Sequence, residues 1–145
     1  SNYNKIIFNN ASQVSLGLSN NNLVYKNNIS YGGYGLSLVR SSNNTISKNI
    51  CSYSVNGISL HHMCENNTIT NNTCSHNHIK YIGDSYIFTQ DNTCKYNLFN
   101  GINMFYSSNN NTIKNNTCHY NERGIYLQTS CLNTIEHNTC NNNDL

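Results

Sequence analysis

Single apolar residues stand at fixed distances in an otherwise polar chain. The phrase N-N-T-I-S-K-N-I-C-S-Y-S-V-N-G-I-S-L runs from Asn43 to Leu60, and close variants begin at Asn66 and Asn110. Taking the residue that closes each N-T-C-like phrase as a marker gives Ile7, Ile29, Cys51, Cys74, Cys94, Cys118 and Cys140. The spacings are 22, 22, 23, 20, 24 and 22. Five residues before the marker stand Val24, Ile46, Ile69, Thr89, Ile113 and Ile135. Seven after it come Leu36, Ile58, Tyr81 and Ile125, with Ile102 displaced by one, and two further on Leu38, Leu60, Met104 and Leu127. Glycine precedes most of that column, at Gly35, Gly57, Gly101 and Gly124.

Each unit thus reads T-I-x-x-N-T-C, a polar turn, G-I-x-L and a second polar turn. I-x-L is period-2 alternation with one face buried, and no stretch carries a 3.6-residue stripe. A repeat of about 22 residues with three short strands predicts an all-β fold: a right-handed, single-stranded parallel β-helix of about six coils. Stacked about 4.8 Å apart, the coils bury a column that none could bury alone. One such domain spans residues 1–145.

Two residues before the marker stand Asn27, Asn49, Asn72, Asn92, Asn116 and Asn138. They are expected to form a ladder at a bend, each amide bonding to the next coil, with a side chain that tolerates left-handed backbone. Two residues after the marker, Tyr31, Tyr53, His76, Tyr96 and Tyr120 read as an outward aromatic stack.

The phrase N-N-T-I-x-x-N-T-C-x-x-N-x-x-G-I-x-L resembles the repeats of NosD-like and "carbohydrate-binding and sugar hydrolase" β-helix proteins, from about Val14 to Cys140. The resemblance implies a pectin-lyase-like architecture, an extracellular or cell-surface (envelope) location and, often, carbohydrate contact. NosD is associated with copper delivery to a reductase. The chain has no Met-rich or Cys-x-x-Cys motif, so the resemblance carries over no metal ligand and no cofactor.

Composition narrows the function classes. Of 145 residues 33 are Asn, charged residues are few, and the formal net charge is +2. A nucleic-acid partner usually leaves a basic stripe, and so low a charge argues against one. No apolar run is long enough to span a membrane. The chain opens on Ser1 rather than Met, as a mature form or an excised piece would. Its first coil looks degenerate, with Asn2 and Lys5 where Ile and the ladder Asn belong, and it closes mid-coil. Both ends suggest a segment of a longer array, with a coil, domain or subunit covering the C-terminal end.

The seven cysteines divide into two sets. Cys51, Cys74, Cys94, Cys118 and Cys140 share a column with Ile7 and Ile29, so they read as buried, reduced core thiols. Cys64 and Cys131 fall in a turn and read as the more reactive pair. Asn10, Asn28, Asn43, Asn66, Asn71, Asn110 and Asn115 head N-x-S/T sequons, largely a by-product of the repeat. A column of Thr45, Thr68, Thr112 and Thr134 raises ice binding, but Phe88 is expected to interrupt it.

Function is sought where the repeat breaks. The coil from Cys74 to Cys94 is two residues short and lacks G-I-x-L. Placed in register, it brings Arg40, His61, His62, Asp84, Phe105, Tyr106 and Gln128 to one point of successive coils. Such a stripe suits sugar binding, through Arg40, His61, His62, Asp84, Tyr106 and Gln128. Catalysis finds less support. Glycoside hydrolysis needs two carboxylates about 5–10 Å apart, whereas Asp84 and Asp91 lie seven residues apart around their coil. The sequence favours a non-catalytic structural or carbohydrate-binding module. A polysaccharide lyase or hydrolase using Asp84 with His61 or His62, and a NosD-like copper-associated protein, are the alternatives.

Overall fold

The computed structural model describes residues 2–77 and 100–145. Their strands, in chain order, are β1 (Lys5–Ile7), β2 (Asn10–Ala11), β3 (Val14–Gly17), β4 (Leu23–Tyr25), β5 (Asn28–Ser30), β6 (Tyr34–Val39), β7 (Thr45–Ser47) and β8 (Ile50–Ser52). There follow β9 (Asn56–His61), β10 (Thr68–Thr70), β11 (Thr73–Ser75), β12 (Asn100–Phe105), β13 (Thr112–Lys114), β14 (Thr117–His119), β15 (Arg123–Gln128) and β16 (Thr134–Glu136). They form three parallel sheets. The first runs β1-β4-β7-β10-β13-β16, the second β2-β5-β8-β11-β14 and the third β3-β6-β9-β12-β15. Each strand pairs with its counterpart one turn along the solenoid, and about five turns of roughly 22 residues are stacked.

The core is the set of columns that the periodicity predicts. Val24, Ile46, Ile69 and Ile113 line the first sheet; Ile29, Cys51, Cys74 and Cys118 the second; Leu36, Leu38, Ile58, Leu60, Ile102 and Met104 the third. All are fully buried. Ile102 is not displaced: it pairs in register with Ile58 and Ile125.

Three expectations are corrected. First, Ile7 does not continue the marker column. Ala11 pairs with Ile29, while Ile7 pairs with Tyr25 and is exposed. The opening coil is 18 residues long because only two residues, Ser12 and Gln13, separate Ala11 from Val14, where six separate Ile29 from Leu36. Its ladder asparagines are therefore Asn9 and Asn4, bonded to Asn27 and Asn22, and that coil is not degenerate. Second, β9 pairs directly with β12, β10 with β13 and β11 with β14. The expected Cys74–Cys94 rung does not intervene, and Thr68 stacks straight onto Thr112 without interruption. Asp84, Phe88, Asn92, Cys94 and Tyr96 lie outside the described residues. Third, the middle residues of I-x-L are not solvated: Ser37, Ser59 and Asn103 are buried as well.

The ladder column runs Asn9–Asn27–Asn49–Asn72–Asn116–Asn138. Each Oδ1 accepts from the backbone N–H and the amide of the asparagine one turn back, and each Nδ2 beyond the first coil also donates to a backbone carbonyl, as Asn49 does to Val24. A second ladder, Asn4–Asn22–Asn44–Asn67–Asn111–Asn133, repeats this at the other end of the first sheet. The residue preceding each ladder Asn takes the left-handed backbone (Asn21, Lys26, Asn43, Lys48, Asn66, Asn71), and the ladder asparagines do not. The amide must point along the stack to bond, so the bend is made one residue earlier.

No described glycine has positive φ. Glycine serves close approach instead. A Cβ on Gly57 would lie 2.7 Å from the Gly101 carbonyl oxygen and 2.7 Å from Asn77 Nδ2.

Candidate functional site

The third sheet carries the least repetitive outward face. Ser37, Ser59, Asn103 and Tyr126 share one outward column. Two residues on, Val39, His61, Phe105 and Gln128 share the next. Alternation along a strand puts both columns on the same side. His61 Nε2 is hydrogen-bonded to Ser59 Oγ. Its ring meets Tyr34 edge-on at 5.7 Å and lies 5.4 Å from Phe105. Phe105 meets Tyr126 edge-on at 5.8 Å, and the Arg123 guanidinium lies 4.7 Å from the Tyr126 ring. Burial, and then the neighbouring charge of His62, hold the His61 imidazole below its ordinary pKa. It is therefore neutral at pH 7, with one ring nitrogen donating and one accepting.

Asn103 is the anomaly of this face. Its side chain is fully buried, and neither Nδ2 nor Oδ1 has a hydrogen-bond partner. The two ladder columns flanking the first sheet are bonded from coil to coil, unlike this amide.

At the following corner Arg40, His62, Tyr106 and Thr129 take left-handed backbone. The His62 and Tyr106 rings stack at 4.9 Å and 7°. Each ring covers one face of the other, so no sugar ring lies between them. Arg40 and Gln128 are exposed.

The structure thus gathers Arg40, His61, His62, Tyr106 and Gln128 at the ends of the third sheet's strands and the adjoining corner. Asp84 falls outside the described residues, and His61 stands in register against Phe105. Tyr34, Ser59, Asn103 and Tyr126 were not singled out from the sequence. For Ser59, Asn103 and Tyr126 the signal was present as the middle position of I-x-L, which changes from Ser to Asn to Tyr between coils.

The stacked thiols are internal except at the last coil, where Cys140 departs from the expected buried column. Cys51, Cys74 and Cys118 are stacked in register and fully buried, while Cys140, on the last coil, is exposed. Hydrogen bonds with Cys118 and Cys51, and then burial, hold the Cys74 thiol well above its ordinary pKa. Cys64 corrects the sequence reading: it is fully buried, with its Sγ 3.2 Å from the His61 carbonyl oxygen and 3.4 Å from that of Leu38. It occupies a corner position where Ser41 and Ser108 stand in neighbouring coils. Cys131 is exposed. The aromatic column stacks Tyr31, Tyr53, His76 and Tyr120, with centroids 5.0 Å apart at each step.

A solenoid of three parallel sheets whose chemistry is confined to outward columns defines a β-helix repeat protein. Residues 52–144 match the family described as a right handed beta helix region. Residues 2–86 match the family described as periplasmic copper-binding protein (NosD), and each match covers more than half of the chain. The chain belongs to the right-handed β-helix repeat proteins of NosD-like type. No curated protein and no solved structure matches it.

Proposed function

We propose that the chain is a non-catalytic β-helix module of the cell envelope that binds carbohydrate on the outer face of its third sheet. The observation that carries this reading is the part-exposed ring cluster of His61, Phe105 and Tyr126 on this face, with exposed Gln128 beside it. A polyhydroxylated ring supplies a donor and an acceptor together, and aromatic rings complement its C–H faces. His61 and Gln128 supply the polar side of the same face. None of these side chains is a carboxylate, which favours binding over hydrolysis. The envelope setting rests on the family's description as periplasmic, and no helix among the described residues is long and apolar enough to cross a membrane.

Copper, which that description names, is the second reading. Among the described residues no three His, Cys, Asp or Glu side chains converge as a set that could hold a metal ion. Cys51, Cys74 and Cys118 are sealed in the core, and His61 Nε2 is engaged by Ser59. The described residues do not fit a copper centre.

Glycan-array binding, run beside an assay for reducing or unsaturated ends, tests the proposal. The parent protein should bind without turnover, and Phe105→Ala or Gln128→Ala should weaken binding tenfold or more. Turnover by the parent that Asp84→Asn abolishes would make the protein an enzyme. Absence of both binding and turnover would leave a structural spacer.

A further inference from the structure

A second outward surface, on the first sheet and remote in sequence from β12 and β15, concentrates positive charge and exposed aromatic rings. Residues 2–77 contain Lys5, Lys26, Arg40 and Lys48 against a single carboxylate, Glu65. The ion pairs among the described residues are Lys114 with Glu136 and His137 with Glu136, so none engages the three lysines. The fold brings these lysines together. Lys5, Leu23 and Thr45 are in register on β1, β4 and β7, and so are Ile7, Tyr25 and Ser47 two residues on. Phe8, Lys26 and Lys48 follow at the corner, each in left-handed backbone and each bonded through its N–H to the next coil.

Lys26 Nζ lies 5.2 Å from the centroids of both Phe8 and Tyr25, and Lys48 Nζ lies 5.7 Å from Tyr25. Burial alone would raise the Tyr25 phenol. Hydrogen bonds with Lys26 and Lys48 and the charges of both outweigh it, and the phenol sits below its ordinary pKa. Two ammonium groups thus stand over one tyrosine ring, and neither is in an ion pair among the described residues. Beside them, on the same strands, an open groove of about 490 Å³ is lined by Tyr3, Lys5, Asn21, Leu23, Asn43 and Thr45. Tyr3 is 79% and Phe8 68% exposed. Among the described residues no other ring lies face to face on either, unlike the rings of His62 and Tyr106.

We propose that this face, from the groove to the Lys26–Lys48 corner, binds an anionic polysaccharide, with its acid groups on the lysines. Coils repeat about every 4.8 Å, so Lys26 and Lys48 present cations at a fixed spacing along the solenoid axis. The exposed Tyr3 ring and the Phe8 face away from Lys26 Nζ offer stacking surface to pyranose faces, and the Asn21 and Asn43 amides each offer a donor and an acceptor to hydroxyls. The acid group is a carboxylate or a sulfate or phosphate ester, since an ammonium group pairs with each. The site is independent of the third-sheet reading and shares no residue with it.

Titration calorimetry with polygalacturonate, dextran sulfate, neutral dextran and single-stranded poly(dA) tests the proposal at low and at physiological salt. Binding to one or both acidic glycans, with neither dextran nor poly(dA) comparable, is expected. The double variant Lys26→Gln/Lys48→Gln should weaken it at least tenfold, flatten its salt dependence and raise the Tyr25 titration midpoint. Phe8→Ala should weaken it several-fold, while His61→Ala and Lys114→Gln leave it unchanged. Circular dichroism checks that the variants are folded. The proposal is overturned by absence of acidic-glycan binding, by equal binding of neutral dextran or poly(dA), or by an equal loss in Lys114→Gln. Loss in His61→Ala with retention in the lysine variant would transfer the binding to the third sheet. That outcome sinks this site while supporting the other.

Discussion

Asn72 and Asn116 stand 44 residues apart in the chain, yet the backbone N–H and Nδ2 of Asn72 donate to the same Asn116 Oδ1 at 2.9 and 3.1 Å. The ladder therefore passes directly from one to the other. Asn72 Nδ2 also donates to the Ile46 carbonyl, and its Oδ1 accepts from the N–H and Nδ2 of Asn49. Removing this side chain leaves several buried groups unmet. We expect Asn72→Ala to lower stability by about 3 kcal/mol, read as a fall in the urea midpoint, because each orphaned buried group costs roughly 1–3 kcal/mol. The exposed neighbour change Asn115→Ala should stay within about 0.5 kcal/mol. Equal effects at the two positions would contradict the ladder.

Asn103 makes the opposite prediction. Its buried amide already lacks partners, so Asn103→Leu should raise the unligated protein's stability by about 1–3 kcal/mol. A thermal melt of parent and variant decides. A lower melting temperature in the variant would show that the amide is bonded in solution.

Glycine positions should separate by space rather than by conformation. Gly57→Ala meets backbone oxygen and a ladder-type amide at 2.7 Å and should destabilise strongly, by about 2 kcal/mol or more. At Gly33 an added Cβ has nothing within 4 Å and φ is not positive, so Gly33→Ala should be neutral or stabilising by about 0.4–1 kcal/mol. Paired denaturation curves measure both.

Thiol labelling of the native protein, mapped by mass spectrometry, should modify Cys131 quickly and Cys140 more slowly, because a hydrogen bond with Cys118, and then burial, push the Cys140 thiol up. Cys51, Cys64, Cys74 and Cys118 should react only on unfolding. Burial pushes the Cys64 thiol up, which reinforces its inertness. Rapid labelling of Cys64 in the folded state would contradict its place in the corner.

His61 should give stability a pH dependence. Its folded pKa is depressed below the unfolded value of about 6.5, so the unfolded chain takes up the proton first as pH falls. The contribution is fully present above the unfolded pKa and is lost as pH falls through the folded pKa. The urea midpoint should therefore drop between pH 7.5 and 5.5, and His61→Phe should flatten part of that slope. An unchanged slope in the variant would show that the imidazole titrates freely.

Much of the architecture was legible along the chain, since Val24, Ile46, Ile69 and Ile113 recur at the period their burial requires. The opening coil was misread because a marker spacing of 22 also connects Ile7 to Ile29, while the shorter register through Ala11 is set by a turn that lacks four residues. Cys64 was misread because a corner position reads as polar in its neighbours, Ser41 and Ser108. The site was legible only in part. His61, His62 and Tyr106 stood out as departures from the repeat, but Asn103 and Tyr126 occupied a position taken for solvent.

What the sequence determined by itself is the repeat and everything local to it: strand length, inward columns, and asparagines that bond only when stacked. These follow from period and side-chain chemistry, which neighbouring residues already specify. What only the tertiary structure decided is which coil lies against which. Pairing energy is the same for any two coils carrying the same phrase, so spacing alone could not say that Asn72 meets Asn116, that His61 meets Phe105, or that Lys26 and Lys48 close on Tyr25. Those contacts depend on how the chain spans each turn, and the two candidate surfaces exist only once that choice is made.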